Sequence, residues 1–127
     1  MTRLEKHNTI DGWFKEAPEI IADVCRFYDL PQKLVLSKSR KMILVEARQL
    51  CCYIMRKRFY KEVSDDVGRI KIVKLTTTDI GGFLGIDHAT VMYAVKIIEG
   101  LLEVSKTYKE ETLVIINKWT NDNDTTH

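Results

Sequence analysis

The chain has 127 residues, of which 45% are hydrophobic and 30% are charged. This length and balance predict one globular domain with a buried core and leave little room for a second domain. The sequence has no run of about 18 apolar residues. It also has no apolar leader after Met1, because residues 1–15 are polar and charged. It therefore predicts neither a membrane span nor a signal peptide.

The positive charge is concentrated in residues 33–61. This segment holds one acid, Glu46, and nine basic side chains, which are Lys33, Lys38, Arg40, Lys41, Arg48, Arg56, Lys57, Arg58 and Lys61. Its net charge is 9 − 1 = +8, whereas the rest of the chain carries 11 − 17 = −6. Such polarity allows one basic face to meet a polyanion. A solvated face of ordinary surface charges is the alternative.

The N-terminal residues 1–17 have a weak pattern and are predicted to be a lead-in from which Trp13 and Phe14 pack on the domain. Pro18 suits the first turn of a helix, where its missing N–H is not needed. Apolar residues at helical spacing extend that helix to about Asp29. They are Ile20, Ile21, Val24, Phe27 and Tyr28. Pro31 then opens a short turn in which Leu34, Val35 and Leu36 cap the core.

The longest helical pattern runs from about Arg40 to Tyr60. Its core face is predicted to contain Ile43, Ala47, Leu50, Cys51 and Ile54. Lys41 and Arg48 are seven residues apart and share another face, with Arg56 about 80° further round the helix. We interpret these three as a row of phosphate contacts, or alternatively as a solvated edge.

The three cysteines are Cys25, Cys51 and Cys52. Their odd number and their spacing fit neither a disulfide framework nor a metal site, and two of them are neighbours in an apolar helical run. We predict that they are small buried hydrophobic residues. We expect no metal and no other cofactor.

Residues 61–75 change in character. A turn sequence around Gly68 precedes a segment, Arg69 to Lys74, in which apolar and basic residues alternate as in a strand. The sequence predicts either a short hairpin or a mobile loop here and does not decide between them.

Two helices joined by a tight turn are predicted next. Thr76 and Asp79 form an acidic variant of a capping box, so a helix begins at Thr76. Gly85 ends it, Asp87 is the N-cap of the following helix, and that helix runs to about Leu102.

The register of this pair is that of a helix-turn-helix. Gly81 is the small residue needed where the two helices cross, and Gly85, four positions on, tolerates a positive φ at the turn. Apolar residues flank the turn and line the second helix: Leu84, Ile86, Val91, Ala94 and Val95. The glycines fit no common nucleotide-binding fingerprint, so we expect no bound nucleotide.

The outer side of the second helix carries the candidate base readers. Recognition helices use their first turn for base edges. Here that turn offers side chains that hydrogen-bond bases or phosphates, and Asp87 could accept from a cytosine amino group. These candidates are Asp87, His88, Ala89 and Thr90, while Tyr93 and Lys96 lie further out, where contacts to the DNA backbone are common. For His88, a second capping or packing role is the alternative.

A final helix is predicted from about Ser105 to Trp119, with Tyr108, Leu113, Ile116 and Trp119 available for packing. The polar tail at 120–127 is expected to be disordered. The predicted organisation is thus a lead-in at 1–17, a helix-turn-helix domain at 18–119 and a tail at 120–127.

Two motifs resemble the C-terminal DNA-binding domain of bacterial DnaA replication initiators. The first is Ser39–Arg40 through Gln49, which resembles the basic helix. The second is Ile80–Gly81 through Val91, which resembles the signature in which an Arg-Asp-His-Thr-Thr-Val run opens the recognition helix. The resemblance covers roughly residues 19–119 and implies an all-α, Trp-repressor-like fold that reads a short duplex element.

By position, the resemblance implies that Arg40 enters the minor groove. Arg48 and Gln49 lie at the DNA face, Arg56 contacts phosphate, and the major-groove readers are Asp87, His88 and Thr90. The chain departs from the pattern, because Ile86 replaces the usual arginine, Ala89 the first threonine and Ala47 a common proline. Its 61–75 connection is also longer than usual. Ala89 could still touch a thymine methyl group.

The predicted function is therefore sequence-preferring binding of double-stranded DNA, related to origin recognition. No Walker-type loop occurs in these residues, so ATP-driven assembly is not expected of them. The alternative is a protein-interaction module or a competitor of a full-length initiator, with replication proteins as partners. We expect no enzyme, because no nucleophile–base spacing stands out. The expected compartment is a bacterial cytoplasm, with a phage or mobile element as a further possible source.

Overall fold

The computed structural model describes residues 1–120, which form six helices and one antiparallel sheet of two strands. Its elements are α1 Arg3–Tyr28, α2 Gln32–Val35, α3 Met42–Arg58, β1 Tyr60–Ser64, β2 Ile70–Lys74, α4 Thr77–Leu84, α5 His88–Val104 and α6 Lys106–Thr120. The predicted helical fold class is confirmed. The predicted tail is 120–127; Thr120 instead ends α6, and residues 121–127 lie outside the described residues. Within residues 1–120, no helix has both the length and the apolar character needed to cross a membrane.

The N-terminal helix is longer than predicted, because α1 runs through Pro18 instead of beginning there. The Thr2 hydroxyl accepts from the Glu5 N–H at 3.1 Å, and the Glu5 carboxylate accepts from the Thr2 N–H at 3.3 Å. This capping box begins the helix at the second residue. Trp13 and Ala17 are buried in the core. Their packing holds the turns before Pro18 helical, although proline removes one hydrogen bond of the helix.

The buried residue Asp23 joins α6 to α1. Its Oδ2 accepts from Lys118 Nζ at 2.6 Å and from Trp119 Nε1 at 3.0 Å, while Oδ1 accepts from the Arg26 guanidinium. Burial by itself would raise the pKa of the Asp23 carboxyl, but the three donors together lower this pKa below its usual value. The carboxylate is therefore fully satisfied and fixes the last helix to the first.

The central helix α3 packs against α1, α4, α5 and α6. Its buried face is Leu44, Ala47, Leu50, Cys51, Cys52, Ile54 and Met55. The prediction of Ile43 in the core is wrong: its side chain is 43% exposed, and Leu44 takes the buried position. The buried face is centred about one residue further round the helix than the sequence pattern indicated. Leu34, Leu36 and Leu113 are likewise exposed rather than core residues.

All three cysteines are buried and free, which confirms the prediction made for them. Burial raises the pKa of Cys25, raises that of Cys51 well above its usual value, and raises that of Cys52 to about 12. Since the thiolate is the reactive form, these side chains are inert packing residues.

Residues 60–74 form a hairpin, which settles the alternative that the sequence left open. β1 pairs antiparallel with β2, with Tyr60 opposite Lys74 and Ser64 opposite Ile70. The Asp65 carboxylate accepts from the N–H groups of Val67 and Arg69 at 3.0 and 2.8 Å and so holds the turn. The hairpin lies between α3 and α4 and lengthens the connection to the helix pair that follows.

Candidate nucleic-acid interface

The helix α4 begins and ends where the sequence predicts. The Thr76 hydroxyl accepts from the Asp79 N–H at 3.0 Å, and the Asp79 carboxylate accepts from the Thr76 N–H at 3.0 Å. At the other end Gly85 adopts φ = 71°, a left-handed conformation that favours glycine. The Ile86 N–H then donates to the Gly81 carbonyl at 3.0 Å. These contacts fix the direction in which the chain enters α5.

The crossing of α4 and α5 depends on Gly81. A Cβ atom at this position would lie 2.3 Å from the carbonyl oxygen of Ile86 and 3.3 Å from Val91 Cγ2. No side chain fits at such distances, because the nearest atom belongs to the backbone. The predicted reason for glycine at the crossing is confirmed, and the two helices form the helix-turn-helix that the spacing indicated.

The first turn of α5 is exposed and ordered by its cap. Asp87 is the N-cap, and its Oδ1 accepts from the Thr90 N–H at 2.8 Å. The hydroxyl and the N–H of Thr90 lower the pKa of the Asp87 carboxyl, so it is ionised at neutral pH. His88, Ala89 and Thr90 are all exposed. Because Asp87 supplies the cap and His88 is exposed, the structure gives no support to a capping or packing role for His88.

A groove of about 470 Å³ brings the basic segment and this first turn together. Arg40, Gln49 and Lys38 line it from the side of α3, and Ile86, Thr90 and Tyr93 line it from the side of α5. The sequence analysis counted Lys38 in the basic segment but did not select it as a site residue. The basic loop before α3 and Thr90, in the first turn of α5, thus line one groove.

The other predicted site residues do not line the groove: they are Lys41, Arg56, Asp87, His88, Ala89 and Lys96. Lys41 is exposed at the N-terminus of α3, next to Arg40 in sequence. Arg56 is half-buried, seven residues after Gln49 and hence on the same side of α3. Lys96 is exposed three residues after Tyr93, one turn further along α5.

Arg48 lines the groove but is engaged with the protein. Its Nε donates to the carbonyl of Val35 at 2.6 Å, and its Nη2 donates to the carbonyl of Ser39 at 2.6 Å. The sequence pattern places Arg48 with Lys41 in a row of phosphate contacts. The structure instead gives its guanidinium two backbone acceptors in the loop before α3.

Glu46, the acid within the basic segment, interacts with the interior of the protein. Burial is the largest cause that raises the pKa of Tyr28, followed by the neighbouring Tyr108 and then by the Glu46 carboxylate. Burial and the Glu46 carboxylate also raise the pKa of Tyr108. Glu46 is half-buried and acts on the phenols of the half-buried Tyr28 and the buried Tyr108. Of residues 1–120, those that line the groove include no acid.

Comparison with known proteins agrees with this geometry. A family model described as the bacterial DnaA protein helix-turn-helix matches residues 17–98. The chain belongs to this DnaA helix-turn-helix family.

Among its relatives are three proteins named chromosomal replication initiator protein DnaA. The one from Bacteroides thetaiotaomicron is 36% identical over 94 residues, which are 73% of this chain and 17% of the relative. The one from Bacteroides fragilis is 33% identical over 94 residues, with the same two shares. The one from Mycoplasma pneumoniae is 32% identical over 84 residues, 66% of this chain and 16% of the relative. The chain thus spans about a sixth of the length of these relatives.

Two departures from the DnaA signature fall at the interface itself. Ile86 is half-buried, its carbonyl is packed against Gly81, and its side chain lines the groove. Ala89 presents an exposed methyl group in the first turn of α5. Both apolar side chains stand where the resemblance implies hydrogen-bonding ones. Within residues 1–120, no three His, Cys, Asp or Glu side chains are grouped so as to hold a metal ion.

Proposed function

We propose that this chain binds double-stranded DNA and prefers a short sequence, with a role related to origin recognition. The observation that carries the proposal is the shared groove, where Arg40 and Lys38 face the same opening as Thr90 and Tyr93. Duplex DNA presents phosphates beside base edges, so a reading helix needs cations at its flank. Membership of the DnaA family, and the name of its relatives as replication initiators, support the same proposal.

The proposed contacts divide into two groups. Arg40 reaches the minor groove, while other polar and basic side chains contact phosphates. That second group is Lys38, Lys41, Gln49, Arg56, Tyr93 and Lys96. The N-terminus of α5 enters the major groove, as the second helix of a helix-turn-helix does.

The proposed base readers are Asp87, His88, Ala89 and Thr90. One Asp87 oxygen caps α5, which leaves the other oxygen to accept from a cytosine amino group. Ala89 can contact a thymine methyl group but cannot donate a hydrogen bond. Each lost base contact costs about 1–3 kcal/mol of discrimination, so the preferred site should differ from that of relatives with the full signature.

The test is selection of binding sites from random duplexes at two salt concentrations. We expect one enriched motif and an affinity that falls steeply with salt, because bound lysine and arginine release counterions from DNA. A chain that retains no duplex at low salt would contradict the proposal. Weak retention without an enriched motif would reduce it to nonspecific binding and favour a protein partner.

A further inference from the structure

The loop between α2 and α3 carries the cationic side of the groove. Residues 36–41 include Lys38 and Arg40, both exposed and both lining the groove. The loop's own hydrogen bonds are short-range: the Ser39 N–H donates to Ser37 Oγ at 3.2 Å, and the Lys41 N–H donates to Ser39 Oγ at 3.3 Å. Such contacts shape a loop without fixing it to the rest of the fold.

Arg48 supplies the long-range connection. It projects from the second turn of α3, and its two bonds of 2.6 Å reach the carbonyls of Val35 and Ser39, on either side of Lys38. Nε and Nη2 lie on one edge of a planar guanidinium, so both acceptors are held at a fixed separation. Hydrogen bonds from a charged donor are also stronger than neutral ones.

We propose that Arg48 is a positioning residue, which holds the loop at 36–41 so that Lys38 and Arg40 stand at the groove before DNA arrives. The inference rests on the proposed function. Two of the five N–H donors of the guanidinium are committed to carbonyls of the protein. Arg48 therefore acts on DNA binding mainly through Arg40 and Lys38, and a loop already in place loses less conformational entropy on binding.

A double-mutant cycle with Arg40 tests this role. Affinity for the selected duplex is measured for the wild type, Arg40→Ala, Arg48→Ala and the double variant at one salt concentration. We expect each single variant to bind about tenfold more weakly. The double variant should be at most about threefold weaker than the weaker single variant, because the loop contact is already lost. A double variant about 100-fold weaker than the wild type would overturn the positioning role.

Arg56 gives a matched control on the same helix. Its side chain is half-buried and comes two turns after Arg48. Arg56→Ala is expected to combine additively with Arg40→Ala, because these two residues share no bond. Coupling as strong as that of Arg48 would mean that the cycle reports a general loss of charge, and the inference would fail.

Arg48→Lys separates geometry from charge and covers the case in which Arg48→Ala does not fold. Lysine keeps the positive charge but lacks the planar guanidinium group. We therefore expect the Arg48→Lys variant to bind the selected duplex as weakly as Arg48→Ala does. Amide hydrogen exchange at Ser39 and Lys41 should also be faster than in the wild type. Wild-type affinity with unchanged exchange would overturn the proposal. A wild-type chain that does not bind DNA would instead overturn the proposed function itself. Amide hydrogen exchange would still report whether Arg48 holds the loop at 36–41.

Discussion

Two contacts between helices in this protein are held in different ways. Where α6 meets α1, the charges of Asp23 and Lys118 pair with each other, and the carboxylate is buried. Where α4 meets α5, the contact is a close backbone approach at Gly81, with no charge involved. Beside that second contact, Arg40 and Lys41 are exposed, and their side chains have no ion pair with other residues of 1–120.

The difference separates charge that builds the fold from charge that is available to a ligand. Arg58 belongs to the first kind, since its guanidinium donates to both Glu16 oxygens at 2.8 and 3.1 Å. It lies in the same basic segment as Arg40, so sequence position alone does not distinguish the two kinds. Exposure and bonding partners do, and Arg40 is exposed where it lines the groove.

The largest effect should come from adding one methyl group at the backbone contact. In Gly81→Ala the new Cβ would lie 2.3 Å from the Ile86 carbonyl oxygen, so α4 and α5 must move apart. We expect a loss of about 2–3 kcal/mol in the free energy of unfolding, measured by urea denaturation.

Gly82→Ala is the matched control, because a Cβ at this neighbouring position meets no atom within 4 Å. Alanine is the better helix former, so this variant should be as stable as the wild type or more stable by up to about 1 kcal/mol. Equal losses in both variants would show that the crossing is not as tight as the backbone distances imply.

At the α1–α6 contact, the corresponding test removes the charge of Asp23. Asp23→Asn loses charge-assisted bonds from Lys118 and Arg26, and we expect a loss of about 2 kcal/mol in unfolding free energy at pH 7. Because the folded-state pKa of Asp23 is lowered, its contribution is complete above the unfolded-state pKa of about 3.9 and is lost as the pH falls through the folded-state pKa. The two proteins should therefore converge in stability below about pH 4. A difference that is constant from pH 7 to pH 3 would contradict this.

The sequence predicts features that depend on neighbouring residues and misses those that depend on distant ones. The capping box at Thr76, the positive φ of Gly85 and the N-cap at Asp87 are each fixed within a few residues. The helix before Pro18 is not predicted, although the Thr2–Glu5 capping box that begins it is a local signal. The contact that buries its apolar side has no local signal, because Trp13 packs against Phe59, 46 residues later in the chain, with the ring centroids 5.8 Å apart.

The same limit applies to the interface. The sequence indicates that a basic segment and a reading turn exist, and the structure brings them to one groove. The sequence does not indicate which basic side chains are bonded to the protein and which are exposed to a ligand. Arg48 reads as a surface cation in a helical pattern, and its acceptors are carbonyls 13 and 9 residues away, which carry no sequence signature.

A smaller effect is expected at the cap of the reading helix. Asp87→Ala removes the acceptor of the Thr90 N–H and should cost about 1 kcal/mol of unfolding free energy. Asp87→Asn keeps a capping oxygen and should stay close to the wild type in stability, while it loses discrimination at the base that Asp87 reads. Binding to the selected duplex and to single-base variants of it distinguishes the two effects. If Asp87→Asn discriminated as well as the wild type, Asp87 would serve as a cap alone.

The smallest expected effect is a change in the salt dependence of DNA affinity. It is tested with two exposed lysines, one from each region. Lys41→Gln should reduce the slope of log affinity against log salt by about 0.9, the value for one lost phosphate contact. Its stability should not change, because Lys41 makes no side-chain cap bond to α3.

Lys118→Gln makes the same change in net charge at the other contact. Lys118 is bonded to Asp23 at 2.6 Å, so this variant should lose a few tenths of a kcal/mol in stability and keep the wild-type salt slope. Since both variants remove one positive charge, a nonspecific attraction of the whole protein to DNA would flatten both slopes equally. Only a local contact of Lys41 with DNA gives a slope that depends on which lysine is changed.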